Sequence, residues 1–196
     1  MSELREKRIP VQGCQVYCLQ DTAGDKKDVV LLHGAKFSAS NWRELGTLEV
    51  LADAGHRVHA LDMPGYGNTA KCRAAPADLL QAVLEHEELQ RPVVVGPSMG
   101  GAYSLALYFA APERIGGLVL VGTVGVDKFQ GRLREIGVPC LIVWGELDTV
   151  SPIENAYFLS REIEDSRLVI LEGARHPCYL DQPQKWHEEL LDYLDG

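Results

Sequence analysis

Basic residues are scarce in this chain: 19 lysines and arginines stand against 28 aspartates and glutamates in 196 residues, a formal net charge of −9. Contact with a phosphate backbone needs a basic surface, so nucleic acid is excluded as a partner. Long apolar runs are also missing. No stretch approaches the roughly 18 apolar residues of a membrane span, and the charged opening Met1-Ser2-Glu3-Leu4-Arg5-Glu6-Lys7-Arg8 lacks the apolar core of a signal peptide. No membrane partner and a cytoplasmic location are therefore expected. Cysteine is sparse and unpatterned: positions 14, 18, 72, 140 and 178 form no C-x-x-C pair and no zinc-type spacing. Reduced thiols and no bound metal are the expectation, since Cys14 and Cys18 on one strand would lie about 13 Å apart, too far to bridge. Internal repeats, low-complexity tracts and a Gly-rich phosphate loop are likewise absent.

What is present is 46% hydrophobic residues, enough for one globular domain over residues 1–196 with a sizeable core. Apolar runs alternate with helical patterns, the signature of a mainly parallel sheet with helices on both faces. Strands are predicted near Val11-Gln20, Val29-Leu32, Val58-Asp62, Val93-Gly96, Leu118-Val121, Leu141-Trp144 and Leu168-Leu171. The first of these either runs through or breaks near Gly13 into two antiparallel strands. Helices are predicted over Asn41 to Ala54, Asp78 to Leu89, Pro152 to Ile163 and Pro183 to Leu194, the last two opening on proline, which a first helical turn tolerates.

One segment carries chemistry. Gly96-Pro97-Ser98-Met99-Gly100 follows the β-branched run Val93-Val94-Val95 and precedes a helical run from Ala102 to Ala110. A strand that turns into a helix around one residue holds that residue in a strained, positive-φ backbone, and small neighbours must flank it. Ser98 is thus a candidate nucleophile for carbonyl carbon. A serine hydroxyl needs a base, and the base needs an orienting acid. Among six histidines, His176 follows the last predicted strand, at the sheet edge where Ser98 is expected. Asp148, in Trp144-Gly145-Glu146-Leu147-Asp148, is the preferred acid, with Glu146 as its rival. The order Ser, Asp, His is the order this kind of fold uses. Backbone N–H groups of Met99 and of Ala35, in the turn His33-Gly34-Ala35, are the expected donors to an oxyanion. Asp62-Met63-Pro64-Gly65-Tyr66-Gly67 is read as structural support for the rim, and Cys178 as either a packed thiol or a second nucleophile.

Taken together, HG after one strand, D-x-P-G-x-G after the next, G-x-S-x-G, W-G-E-x-D and a late G-x-x-H resemble the α/β-hydrolase fold superfamily over nearly the whole chain. The segments 32–42, 45–48 and 176–181 with Trp186-His187 resemble, within it, the small lidless alpha/beta-hydrolase-domain-14 group. The elbow itself reads closer to that of general esterases. This resemblance implies a cytosolic and nuclear hydrolase of short acyl esters, with protein-lysine deacylation and acyl transfer to coenzyme A among the group's activities. No cofactor is expected, coenzyme A being the alternative acyl acceptor.

Residues 122–138 are too few to build the helical cap that many superfamily members insert before the next strand. An open site follows, with Lys36 and Phe37 on one expected wall and Lys128 and Phe129 on another, admitting a small acyl substrate or an acylated protein. Two functions compete: a hydrolase working through an acyl-Ser98, and a ligand-binding receptor or interaction module that keeps the fold without the chemistry. An aspartate at the elbow would have pointed to dehalogenase or epoxide-hydrolase chemistry; the serine points away from both.

Overall fold

A computed structural model describes residues 4–196. Among the described residues, eight strands form one sheet: β1 (Arg5–Val11), β2 (Cys14–Asp21), β3 (Asp28–Leu31), β4 (Arg57–Leu61), β5 (Val93–Pro97), β6 (Gly117–Val121), β7 (Cys140–Gly145) and β8 (Ser166–Leu171). Their spatial order is β1-β2-β4-β3-β5-β6-β7-β8. The first two strands form a hairpin, β2 meets β4 antiparallel, and every later pairing is parallel. The hairpin alternative for the opening segment is the one observed. It turns at Gln12-Gly13, at the expected break.

Seven helices among the described residues pack the two faces: α1 (Ala39–Glu44), α2 (Thr47–Asp53), α3 (Pro76–His86), α4 (Met99–Ala110), α5 (Ile153–Glu162), α6 (Cys178–Asp181) and α7 (Pro183–Asp195). Parallel strands are covered on both sides and so read as unbroken apolar runs. Val94 therefore faces one core with Leu79, Val83 and Leu105 of α3 and α4, whereas Val93 and Val95 face another with Trp42, Leu48 and Trp186 of α1, α2 and α7. Each fully buried side chain of valine or leucine size contributes about 1.5–3 kcal/mol of hydrophobic stabilisation. These two layers fix the strand ends, and with them the loops that carry the chemistry.

Two expectations need correction. The single helix predicted from Asn41 to Ala54 is two, because Gly46 takes a left-handed backbone (φ 81) that ends one helix and starts the next. The cysteines are not all reduced. Cys14 and Cys72 form a disulfide with their Cα atoms 5.8 Å apart, while Cys18, Cys140 and Cys178 are free and buried. The hairpin and the segment before α3 bring together residues 58 positions apart, a proximity that spacing along the chain does not reveal. Helix α6, immediately after the predicted base, is a further addition. As expected, there is no cap: residues 122–138 form only short 3-10 turns at Val126–Phe129 and Leu133–Glu135.

Candidate active site

Ser98 lies between the last residue of β5 and the first of α4, with φ 53 and ψ −114. Such a backbone costs about 1–3 kcal/mol and persists only where the surroundings enforce it. Here the Ser98 N–H donates to the Val121 carbonyl (2.8 Å), and the Ser98 carbonyl accepts from Gly101, Ala102 and Val124. The turn is tight enough that a β-carbon at Gly96 would lie 2.4 Å from Ser104 Oγ and 2.5 Å from the Gly100 carbonyl oxygen.

The predicted acid and base meet. His176 Nδ1 and Asp148 Oδ2 are 2.7 Å apart, with the two side chains 12% and 1% exposed. The second carboxylate oxygen, Oδ1, accepts from the backbone N–H groups of Val150 and Ser151, each at 2.8 Å. Asp148 thereby has both oxygens satisfied, and an ionised carboxylate accepts only, so Nδ1 carries the proton. The segment after β6 ties this pair to the elbow. Ser98 is hydrogen-bonded to Val121 and Val124, and between them a β-carbon at Gly122 (φ 50) would lie 3.0 Å from His176 Nδ1 and 3.1 Å from Asp148 Oδ2. Ser98 Oγ itself makes no hydrogen bond to His176 in this conformation. A serine χ1 has three staggered wells, and such contacts are often long without substrate and tighten when it binds.

Most of the W-G-E-x-D segment has a separate duty at the ends of β7 and β8. The Trp144 indole N–H donates to the Ser151 carbonyl (2.9 Å), closing the loop that holds Asp148. Glu146, the rival acid, instead accepts from the Gly173 N–H (2.8 Å), so it anchors the loop leading to His176. Next to His176, the Arg175 side chain and N–H both bind Asp181. Cys178 is packed, and burial, reinforced by the Asp148 charge, pushes its thiol up to about 12; this is the packed-thiol alternative.

On the other side of Ser98, a β-carbon at Gly34 would lie 3.6 Å from Ser98 Cβ and 3.3 Å from the Phe37 ring, so the serine and that ring both flank Gly34. The Gly34 carbonyl is held twice, by His33 Nδ1 (2.8 Å) and by the Phe37 N–H (3.0 Å). The other ring nitrogen of His33, Nε2, accepts from the Met63 N–H (3.0 Å), which makes Nδ1 the protonated one. Burial pulls the His33 pKa below the ordinary histidine value, although its bond to Gly34 works in the opposite direction. Tyr66 packs edge-on against His33, with ring centroids 5.2 Å apart. Asp62 is fully buried and accepts from the N–H groups of Ala39 and Asn68, so the D-x-P-G-x-G turn is the structural support the sequence suggested.

The remaining pocket residues divide. Lys36 and Lys128 are exposed, the latter folded over Gly125, which lies beside Ala102 in the first turn of α4. Phe129 is not at the serine. It stacks on Phe109 (5.6 Å) near the far end of α4, about 15 Å along the helix from its start. An aromatic partner on the neighbouring helix, unseen in the local pattern, outcompetes the site for this ring. Gly122 and His33 are additions to the site residues named from the sequence; the signals that mark them are a glycine directly after a strand and a histidine directly before the Gly34-Ala35 turn. Among the described residues no cluster of His, Cys, Asp or Glu is arranged to hold a metal ion, and no helix is long and apolar enough to cross a membrane.

Comparison with known proteins shows the family to which this fold belongs. Residues 28–130 match the model of the alpha/beta hydrolase fold family. Human (Homo sapiens) ABHD14B, provisionally named a protein-lysine deacylase, is 38% identical over 99% of this chain and 97% of its own length. Zebrafish (Danio rerio) ABHD14A is 39% identical over 89% of this chain and 68% of its own. A crystal structure of a predicted CIB-like hydrolase from Thermoplasma acidophilum superimposes with a TM-score of 0.95 at 27% identity, covering 99% of both chains.

Proposed function

We propose, for a chain that belongs to the alpha/beta-hydrolase family and within it groups with ABHD14A and ABHD14B, the hydrolysis of small acyl compounds through a covalent acyl-Ser98. The observation that carries this reading is the 2.7 Å contact between His176 Nδ1 and Asp148 Oδ2, held over the segment that grips the Ser98 backbone. With Nδ1–H donated to the carboxylate, Nε2 is left as the base.

In the first half-reaction Ser98 Oγ attacks the carbonyl carbon while its proton passes to His176 Nε2, and the carbonyl π pair moves onto oxygen. Two backbone donors would receive that oxyanion. The Met99 N–H, at the start of α4, has no partner within the helix. The Ala35 N–H is aimed by its own peptide: C=O and N–H of a trans peptide point to opposite sides, so a Gly34 carbonyl held by His33 and Phe37 directs the Ala35 N–H away from both. Collapse of the intermediate breaks the bond to the leaving oxygen or nitrogen, which takes the proton from Nε2. Water then attacks acyl-Ser98, giving its proton to His176, and the serine leaves with that proton. A donor of this kind contributes about 10²–10³ in rate.

Short esters are the first substrate class. The name of the human relative extends it to acylated lysine side chains, which a site without a cap is able to admit. Fluorophosphonate labelling followed by peptide mapping, with turnover of an ester series from acetyl to decanoyl and of acetyl-lysine peptides, tests the proposal. Label on Ser98, loss of both label and turnover in Ser98→Ala, and preference for short chains are expected. Unchanged turnover in Ser98→Ala would overturn the acyl-Ser98 step, and loss of turnover with biological effect and ligand affinity kept would favour the ligand-binding alternative.

A further inference from the structure

We infer that the mouth of this site recognises a second, anionic group on the substrate, a carboxylate or phosphate lying a few bonds from the reacting carbonyl. The inference rests on the serine-hydrolase reading and adds a substrate class to it. Its basis is the distribution of lysine partners. The chain has seven lysines and a formal net charge of −9, so a lysine placed without regard to function should find an acid. Lys7 pairs with Glu87, Lys26 with Asp195 and Lys185 with Glu189, and Lys27 donates to the Leu194 carbonyl. Lys36, Lys71 and Lys128 are exposed, and among the described residues none of the three side chains has an ion pair or hydrogen bond.

Those three stand on the loops that leave the C-terminal ends of β3, β4 and β6, the side of the sheet that carries Ser98. Lys36 is two residues beyond Gly34, which touches Ser98. The stem of Lys128 lies over Gly125, 3.8 Å from where its β-carbon would be; that position is 4.0 Å from Ala102 Cβ, and the Ala102 N–H bonds the Ser98 carbonyl. Lys71 lies along Gly65, its Cε 3.6 Å from the β-carbon position, and the next residue, Tyr66, packs on His33. The acids of the same side are occupied. Asp148 holds His176, Glu146 holds Gly173, Asp181 holds Arg175, and Asp62 is buried on Ala39 and Asn68. The exposed carboxylates on these three loops are Asp127, next to Lys128, and Glu135, which is paired with Arg132.

Unpaired ammonium groups on the loops beside the serine raise the local concentration of anions, by about 10-fold or more where field lines are focused, and salt removes the effect. The start of α4 adds positive potential of the same sign at the serine. A neutral short ester would use the catalytic groups and leave this charge without a role.

The test compares kcat/KM, by pH-stat, for ethyl butyrate, monoethyl succinate and the butyrate ester of 2-hydroxyethyl phosphate, at low salt and at severalfold higher salt. The second compound places the anion on the acyl side and the third on the leaving side. At least one anionic ester is expected to exceed ethyl butyrate about tenfold at low salt, with the advantage shrinking at high salt. Which one does so identifies where the anion sits. In K36Q/K71Q/K128Q the anionic-to-neutral ratio is expected to fall about tenfold, and in the triple Lys→Arg variant to return. Ratios near one for both anionic esters, or a ratio that the glutamine variant leaves unmoved, would overturn the inference while turnover of ethyl butyrate leaves the hydrolase reading intact. No turnover of any ester, with no fluorophosphonate label on Ser98, would instead remove the reading beneath it.

Discussion

At the N-terminal ends of β3 and β4, polar side chains bind one another: Asp28 accepts from Arg57 with His59 Nε2 3.5 Å away, and Glu87 takes Lys7 on one oxygen and His86 on the other. At the C-terminal ends of β3 and β5 to β8 the polar groups are organised but aimed outward. His176 offers Nε2, α4 offers unpaired N–H groups, and Ser98 holds a backbone that its neighbours must enforce. One end of the sheet uses charge to close the fold; the other braces its loops with acids such as Glu146 and Asp181 and leaves the side chains of Lys36, Lys71 and Lys128 unpaired. Stability and reactivity are thus assigned to opposite ends of the same strands, and substitutions should separate them.

The largest effect is expected for Asp148→Asn. An amide cannot accept from Nδ1–H as a carboxylate does and favours the wrong tautomer of His176, so kcat should fall about 10⁴-fold. Single-turnover kinetics with a chromogenic ester measures it. A loss below about tenfold would show that Asp148 only braces the loop through Val150 and Ser151.

Next comes Gly122→Ala. Its β-carbon would stand 3.0–3.1 Å from both His176 Nδ1 and Asp148 Oδ2 at a backbone φ of 50, a position strained for alanine, so the pair or the Gly122 backbone must shift. Turnover about 10²-fold lower is expected, in keeping with the sensitivity of catalysis to a misplacement of about 1 Å. A crystal structure of the variant with the contact intact and turnover unchanged would break the link between the elbow and the pair.

His33→Phe should have a smaller effect, about 10–10²-fold on kcat with little change in KM, because it removes one of the two bonds that hold the Gly34 carbonyl and loosens the peptide that carries Ala35 N–H. Affinity for a tetrahedral boronate should drop in parallel, and affinity for a trigonal product acid should not. Equal losses for both ligands would assign His33 to packing alone.

How far these roles were legible in the sequence depends on whether the partner is local. Ser98 announces itself because strand, glycine and helix are adjacent, and His176 and Asp148 because each follows a strand in a parallel sheet whose strand ends must converge. The helix break at Gly46, the Cys14–Cys72 bond and the stacking of Phe129 on Phe109 depend instead on backbone geometry and contacts that the local pattern does not display. Glu146 is instructive in the same way. It follows the same strand two residues before the preferred Asp148, and its bond to the Gly173 N–H, with His176 on Asp148, gives it a different use.

The smallest change should come from the closed end, where Asp28→Asn should cost stability and leave turnover alone. Burial by itself would raise the Asp28 carboxyl, but the nearby His59 ring and the Arg57 guanidinium outweigh it and hold the group below the usual aspartate range. A depressed folded-state value stabilises the fold at pH above the unfolded value of about 3.9 and loses that contribution as pH falls through the folded one. The D28N variant should therefore unfold at lower urea than the parent at pH 7, by about 1–3 kcal/mol for a charged hydrogen bond, and the two midpoints should converge on acidification below about pH 4. Ester turnover at neutral pH and room temperature should be unchanged. A gap in stability that persists at low pH would mean that the amide disturbs packing rather than charge, and a parallel loss of turnover would show that the two ends of the sheet are coupled after all.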